Sequence, residues 1–234
     1  MAVQWLQNYW TKEGAGIPKD APKRTGLALF AEILGREWWE MVKLNILFLL
    51  TSLLVVTIPA AIFAMASVSR AFVEDRNVYL LRDYLDALRA YWLRASVWAI
   101  VTSAVLGLCA YAVRTYASYA ATDLAYAAPL TVSLFGTLFV AMMTCQFIVI
   151  SVIQHRSVLS TIRLSALAIL LKPLPLVGAL LFVGALWLAH ILLYPVSVFM
   201  PAAINFSLGM FAIVFGAHGA AMHALALSKD RNGS

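Results

Sequence analysis

The chain has 234 residues, of which 63% are hydrophobic and only 12% charged, with a formal net charge of +6 and a mean hydropathy of +0.86. A soluble domain of this length needs a polar surface, and about a quarter of its residues are usually charged. That surface is missing, so the composition excludes an ordinary soluble domain and makes lipid the solvent. The length suits roughly five or six spans of ~20 residues. The positive charge fits a cation-rich cytoplasmic membrane face better than nucleic acid in so apolar a chain.

The first residues include Gln4, Gln7 and Asn8, and no apolar run follows a basic start. No cleavable signal peptide is expected, and the first true span carries the insertion signal. Met1–Trp10 reads as a short amphipathic helix with Trp5, Leu6, Tyr9 and Trp10 on one side. Gly14, Gly16, Pro18 and Pro22 rule out a continuous helix towards Arg24. Over Leu27–Glu40 an amphipathic helix is predicted, with Leu29, Phe30, Ile33 and Leu34 at helical spacing. Its Arg36, Trp38 and Trp39 suit a membrane–water boundary. Leu44–Ser69 then carries no charge, with Pro59 near its middle. It reads either as one kinked span or as two short helices meeting at Pro59.

Residues 74–94 are the most polar internal segment. Leu81, Tyr84, Leu85, Leu88, Tyr91 and Trp92 follow the helical period, and Arg82, Asp83, Asp86 and Arg89 take the other side. The pattern predicts a helix lying on the membrane or against a partner. Spans follow over 95–113, 129–153, 173–199 and 204–227, with a Tyr-rich connection over 114–128 and a turn at Pro201. Between the second and third of these lies another amphipathic stretch, 155–171, charged at Arg156 and Arg163.

Charge chooses between the readings of 44–69. If the chain turns near Pro59, six helices form three hairpins, and every Lys and Arg except Arg114 faces the cytoplasm. If it crosses once, the clusters at 12–43 and 70–94 lie on opposite faces and one of them breaks the positive-inside rule. The prediction is therefore an all-α polytopic membrane bundle of about six transmembrane helices in three hairpins, with cytoplasmic amphipathic helices. A cytoplasmic N-terminal segment (1–26), one membrane domain (27–228) and a cytoplasmic tail (229–234) make up the chain, with both termini cytoplasmic. Each half of the first hairpin has about 15 apolar residues, near 22 Å, short of a ~30 Å hydrocarbon core. Trp38, Trp39 and a snorkelling Lys43 lengthen it at the inner end. Amphipathic segments at 27–40, 80–94 and 156–171 each precede a hairpin, a weak internal repeat with unequal spacing.

Little points to catalysis. Cys109 and Cys145 lack ligand spacing and read as buried free thiols. The polar groups within the apolar runs are Asn45, Gln146, His190, His218 and His223. His218 and His223 stand five apart, about 140° around a helix, so they do not form the one-face pair of an HExxH helix. There is no HExxH, no GxSxG, no GxxxxGKS/T and no acid at membrane depth to orient a histidine. No catalytic residue, metal ligand, cofactor or nucleotide site is predicted. A membrane enzyme would have to use the histidines, and a stand-alone small-solute transporter would have to use the break at Pro59. Asn45 and Gln146 read as hydrogen-bond partners between helices.

The N-terminal half resembles the YesL-like family of bacterial integral membrane proteins. The resemblance rests on the blocks 16–23 (GIPKDAPK), 33–39 (ILGREWW), 43–45 (KLN), 56–61 (VTIPAA) and 83–88 (DYLDAL), in that order over residues 14–100. The second half matches in architecture more than in motif. The resemblance implies a bacterial cytoplasmic membrane protein associated with carbohydrate ABC importers, and it supplies no catalytic residue. It implies an auxiliary or regulatory subunit, whose partners are the importer's permease subunits and, further out, its ATPase. Arg82, Asp83, Asp86, Arg89, Tyr91 and Trp92 are the candidate partner-binding residues. The small residues of the last span, Gly209, Gly216, Ala217, Gly219, Ala220 and Ala221, are a second candidate contact, with packing inside the chain as the alternative.

Overall fold

The computed structural model describes residues 24–230. The amphipathic helix expected over Met1–Trp10, the Gly- and Pro-rich segment over 14–23 and the residues beyond 230 lie outside the described residues. Eight helices of eight or more residues fill the described part: α1 (Gly26–Ser52), α2 (Ile58–Val73), α3 (Leu80–Ala90), α4 (Trp92–Ala120), α5 (Ala127–Ile153), α6 (Val158–Leu171), α7 (Leu174–Leu192) and α8 (Phe206–Asp230). Short helical turns stand at Val55–Thr57 and Leu124–Tyr126, and a π-turn at Pro201–Asn205 leads into α8. Five segments are long and apolar enough to cross a membrane: Val55–Val73, Trp92–Ala120, Leu124–Ile153, Leu174–Leu192 and Pro201–Lys229. The sixth long helix, α1, has 27 residues, but its first two-thirds carries Glu32, Arg36, Glu37, Glu40 and Lys43. The chain is an all-helical, polytopic membrane protein.

Three hairpins, α1/α2, α4/α5 and α7/α8, make the bundle, with α3 and α6 as the shorter helices between them. One ion pair decides how residues 44–69 run. Arg36 Nη2 lies 2.9 Å from Asp75 Oδ1, so the chain returns after α2 to the end from which it set out. A left-handed residue at Asp75 (φ 53°) makes this possible. Asp75 N–H bonds to Phe72 O and Arg76 N–H to Ala71 O, the Schellman arrangement that closes a helix C-terminus. Further contacts gather the other connections at this same end. Arg70 donates to Val152 O, Arg94 to Arg156 O, and His218 lies against Glu74.

Several sequence expectations need correction. The helix expected over 27–40 is not separate: α1 runs unbroken from Gly26 to Ser52, which removes the first copy of the supposed repeat. The first hairpin turns at 53–57, and Pro59 stands in the first turn of α2, where its missing N–H costs nothing. The turn is apolar and exposed from Leu53 to Val56. The Thr57 hydroxyl donates to Leu54 O in the turn and to Thr51 O at the end of α1, and the Thr51 hydroxyl to Leu47 O and Phe48 O of the same helix. Helix α4 continues to Ala120, so Arg114 belongs to the helix and not to a connection. Asp123 pairs with no cation among the described residues and accepts from Ala125 N–H instead. The span expected over 173–199 ends at Leu192.

Burial divides the helices. The core comes from α1, α2, the second half of α5, one face of α6 and just over half of α8. By contrast the most apolar window of α4 is 0% buried, and only Ala95 of that helix enters the core.

Candidate functional site

Helix α3 joins the bundle through two side chains on one face. Tyr84 and Ala87 are buried, Tyr84 completely. The Tyr84 phenol meets Thr51 Oγ1 at 2.7 Å. The Thr51 proton is already committed to Leu47 O and Phe48 O, so the phenol is the donor. Burial pushes the Tyr84 hydroxyl up to about 12, with the Thr51 contact pulling the other way, and it stays protonated as a donor. This is the anchor that the helical period of Leu81, Tyr84, Leu85 and Leu88 partly foretold, although Leu81 faces out.

The six candidate residues separate into two groups. Arg82, Asp86 and Arg89 are exposed on the face opposite Tyr84, with Arg82 Nε 3.8 Å from Asp86 Oδ2. Asp83 is half-buried and accepts from Tyr79 N–H at 2.9 Å, capping the start of α3. Tyr91 is the link between α3 and α4. Its ring packs on Phe63 and stacks on His155, and its hydroxyl donates to Ser151 O at 3.3 Å. Trp92 begins α4 and lines a shallow surface depression with Leu88, Arg89, Ala90 and Leu93. The structure thus brings Arg82, Asp86 and Arg89 together and turns Tyr91 inward.

Most of the small residues of the last span pack inside the chain itself. Ala217, Ala220 and Ala221 are buried. A Cβ on Gly216 would stand 2.6 Å from Pro175 O and 2.9 Å from Ala179 Cβ, so only glycine lets α7 and α8 approach this closely. Gly219 is the exception: it is exposed, and nothing lies within 4 Å of a Cβ added there.

Asn45 does the most of any intramembrane polar side chain. It is fully buried on α1. Its Nδ2 donates to Pro201 O (2.9 Å) and Ala202 O (2.8 Å), and its Oδ1 accepts from Phe206 N–H (3.0 Å) and Ser207 N–H (3.1 Å). A π-turn displaces backbone groups from their usual partners, and this one amide, with two donors and two lone pairs, satisfies four of them. Gln146 donates to Ala217 O at 3.3 Å, joining α5 to α8.

The histidines do not converge. His190 Nδ1 is 3.0 Å from Ser197 O, and the Ser197 hydroxyl returns a bond to His190 O. His218 lies on α8 near Gly216, which abuts Pro175. His190 comes 15 residues after Pro175, about 22 Å along α7. His223 is exposed. An acid does reach His218, contrary to the sequence expectation: His218 Nε2 is 3.1 Å from Glu74 Oε1, which Arg70 Nε also approaches at 2.7 Å. Burial raises the Glu74 carboxyl, but the bonds from Arg70 and His218 outweigh it and hold the group below its ordinary value. Among the described residues no group of three or more His, Cys, Asp or Glu is placed to hold a metal. Cys109 and Cys145 are free and half-buried.

Most of this surface lies in a segment with a known counterpart. Residues 41–113 match the family described as "Protein of unknown function, DUF624". The match begins within α1, takes in α2 and α3 and ends within α4, just under a third of the chain. It includes Asn45, Tyr84 and all six candidate residues. No curated protein and no solved structure shows significant similarity to the chain.

Proposed function

We propose that the chain is a YesL-like membrane protein acting as a non-catalytic auxiliary subunit of a carbohydrate ABC importer in the bacterial cytoplasmic membrane. The observation that carries this reading is α3. Tyr84 fixes one face of the helix to the bundle, and the opposite face presents Arg82, Asp86 and Arg89 to whatever lies beside it. A helix held this rigidly offers a surface at little ordering cost. Its charges set orientation and selectivity more than affinity, since exposed pairs contribute about 1 kcal/mol or less. The resemblance over 14–100 supplies the class of partner. The end of the bundle that gathers Arg36, Arg70, Arg94 and Arg156 is assigned to the cytoplasm by the positive-inside rule. The permease subunits are the partner, with the ATPase close enough to meet α3.

Co-purification tests the reading. In mild detergent, the chain should come out with the carbohydrate permeases of the same cell, and R82E/R89E should reduce recovery of the complex without changing the thermal unfolding of the bundle. A wild-type chain that emerges alone, under conditions that keep the permease complex whole, ends the subunit reading. Undiminished recovery of the variant moves the contact away from α3.

A further inference from the structure

Charge is neutralised differently in the two halves of the chain. Among the described residues the first half pairs most of its cations internally, Arg24 with Glu32, Arg36 with Asp75, Lys43 with Glu40, Arg70 and Arg76 with Glu74 and Arg82 with Asp86, and leaves Arg89, Arg94 and Arg114 without a carboxylate. Residues 124–229 contain no Asp or Glu at all, yet include Arg156, Arg163 and Lys172 around α6. None of these three has a carboxylate at ion-pair distance among the described residues. Arg94 adds to the excess. It donates through Nη1 to Arg156 O (2.7 Å) and through Nη2 to Thr161 Oγ1 (2.6 Å), sits over the Phe147 ring, and leaves its buried Nε without a partner. It fixes the loop before α6 without neutralising anything.

Helix α6 has two contrasting faces. Thr161, Leu164, Ser165, Ala168 and Ile169 are buried against the bundle. Leu159, Ile162 and Leu170 are exposed in a stripe that also contains Arg163. Arg156 is half-buried just before the helix, and its Nε bonds to Gln154 Oε1 at 3.1 Å. Arg156 stands two residues before the first residue of α6 and Arg163 in its second turn, so both cations lie at the same end of the helix.

We propose that this face of α6 binds an anionic phospholipid, with Arg156 and Arg163 holding the headgroup phosphate and Leu159 and Ile162 lying along its acyl chains. Guanidinium groups bind phosphate oxygens through charge-assisted hydrogen bonds. A helix with exposed apolar residues beside unpaired cations is the arrangement that lies in an anionic membrane surface. A free phosphate answers the cations but leaves the apolar stripe unused, and a neutral lipid answers the stripe but leaves the cations unpaired. Helix α3 is a poor competitor, because Asp83 and Asp86 stand among its arginines.

Native mass spectrometry of the full chain, supplied with equal phosphatidylglycerol and phosphatidylcholine of the same acyl chains, tests this. Wild-type protein should retain phosphatidylglycerol preferentially. R156Q/R163Q should lose the preference by about fivefold for each cation removed, R163K should keep it, and R82Q/R89Q should keep it as well. Should R156Q/R163Q prove unstable, R163Q alone, at an exposed position, gives the same reading. Equal retention of the two lipids by wild type, or an unchanged preference in the glutamine variants, overturns the proposal. Displacement of phosphatidylglycerol by millimolar inorganic phosphate overturns it in favour of a free-phosphate site.

Discussion

Helices α4 and α8 have nearly the same length, 29 and 25 residues, and the most apolar windows of their two spans have similar hydropathy, 1.9 and 1.6. One of those windows is 0% buried by protein and the other 56%. In water such a difference is written into the sequence, because an exposed face must be polar. In a bilayer, lipid tails are as apolar as a protein core, and hydropathy loses its power to say which face is which. What distinguishes α8 is specific partners: Asn45 at its entry, Gln146 at Ala217, Pro175 and Ala179 at Gly216, and Glu74 at His218.

The sharpest way to break that comparison is a matched pair of glycine substitutions. G216L drives a side chain into Pro175 O and Ala179 and should cost about 3 kcal/mol or prevent folding, in line with severe overpacking. G107L on α4, where nothing lies within 4 Å of an added Cβ, should shift thermal unfolding in detergent little, within about 0.5 kcal/mol. Equal effects at the two positions would show that α4 is packed in the native protein as tightly as α8. Next in size is N45L, which leaves four backbone groups of the π-turn without their partner. Each orphaned group costs about 1–3 kcal/mol at most, but transmembrane hydrogen bonds average well below that, so a total of about 2–4 kcal/mol is expected. N45D places a carboxyl oxygen against Pro201 O and Ala202 O and, when ionised, a buried charge, so it should cost at least as much as N45L.

A smaller effect belongs to Y84F, which removes only the bond to Thr51 and should cost about 0.5–1.5 kcal/mol, read as a lower unfolding temperature. If Y84F also weakens the proposed complex while R82E/R89E does not, the α3 anchor matters and its charges do not. The smallest effect is electrostatic. Glu74 is held below its ordinary value, so its contribution to stability is present above the unfolded carboxylate range, near pH 4, and is lost as the pH falls through the lowered folded value. Acid titration of wild type should show this loss, and E74Q should flatten the curve. Identical curves would remove Glu74 from the ion network that joins α2 to α8.

Charge was the better guide to the architecture, and proline the worse. The distribution of Lys and Arg was enough to choose three hairpins, and the ion pair Arg36–Asp75 agrees. Turn positions were less legible. Pro59 drew the expected turn towards itself, although proline starts a helix as comfortably as it interrupts one, and the true turn, Leu53 to Thr57, has no breaker residue. Asn45 was readable as a partner between helices, but the broken backbone it serves lies some 160 residues away, at Pro201–Asn205, and nothing in the local pattern of either segment names the other. The pairing of Glu74 with His218 was hidden for the same reason. At the surface of α3, alternation of charge with Leu and Tyr revealed the helix and its inward side, Tyr84 and Tyr91 included, whereas Leu81, which the same period placed with them, faces out because it stands in the first turn, beyond the contact with the bundle.

The apolar turn of the first hairpin has a consequence for how the protein enters the membrane. Between Lys43 and Arg70 there is no charge, and the threonines at 51 and 57 turn their hydroxyls onto the carbonyls at the end of α1 and on Leu54 O in the turn. Carrying a loop through hydrocarbon is normally slow because water must be stripped from it. Here no charged group has to be stripped, so α1 and α2 can pass from the surface into the bilayer together, as one closed unit. The activation barrier for insertion is then set by the helices' own partitioning and not by the translocation of a connecting segment.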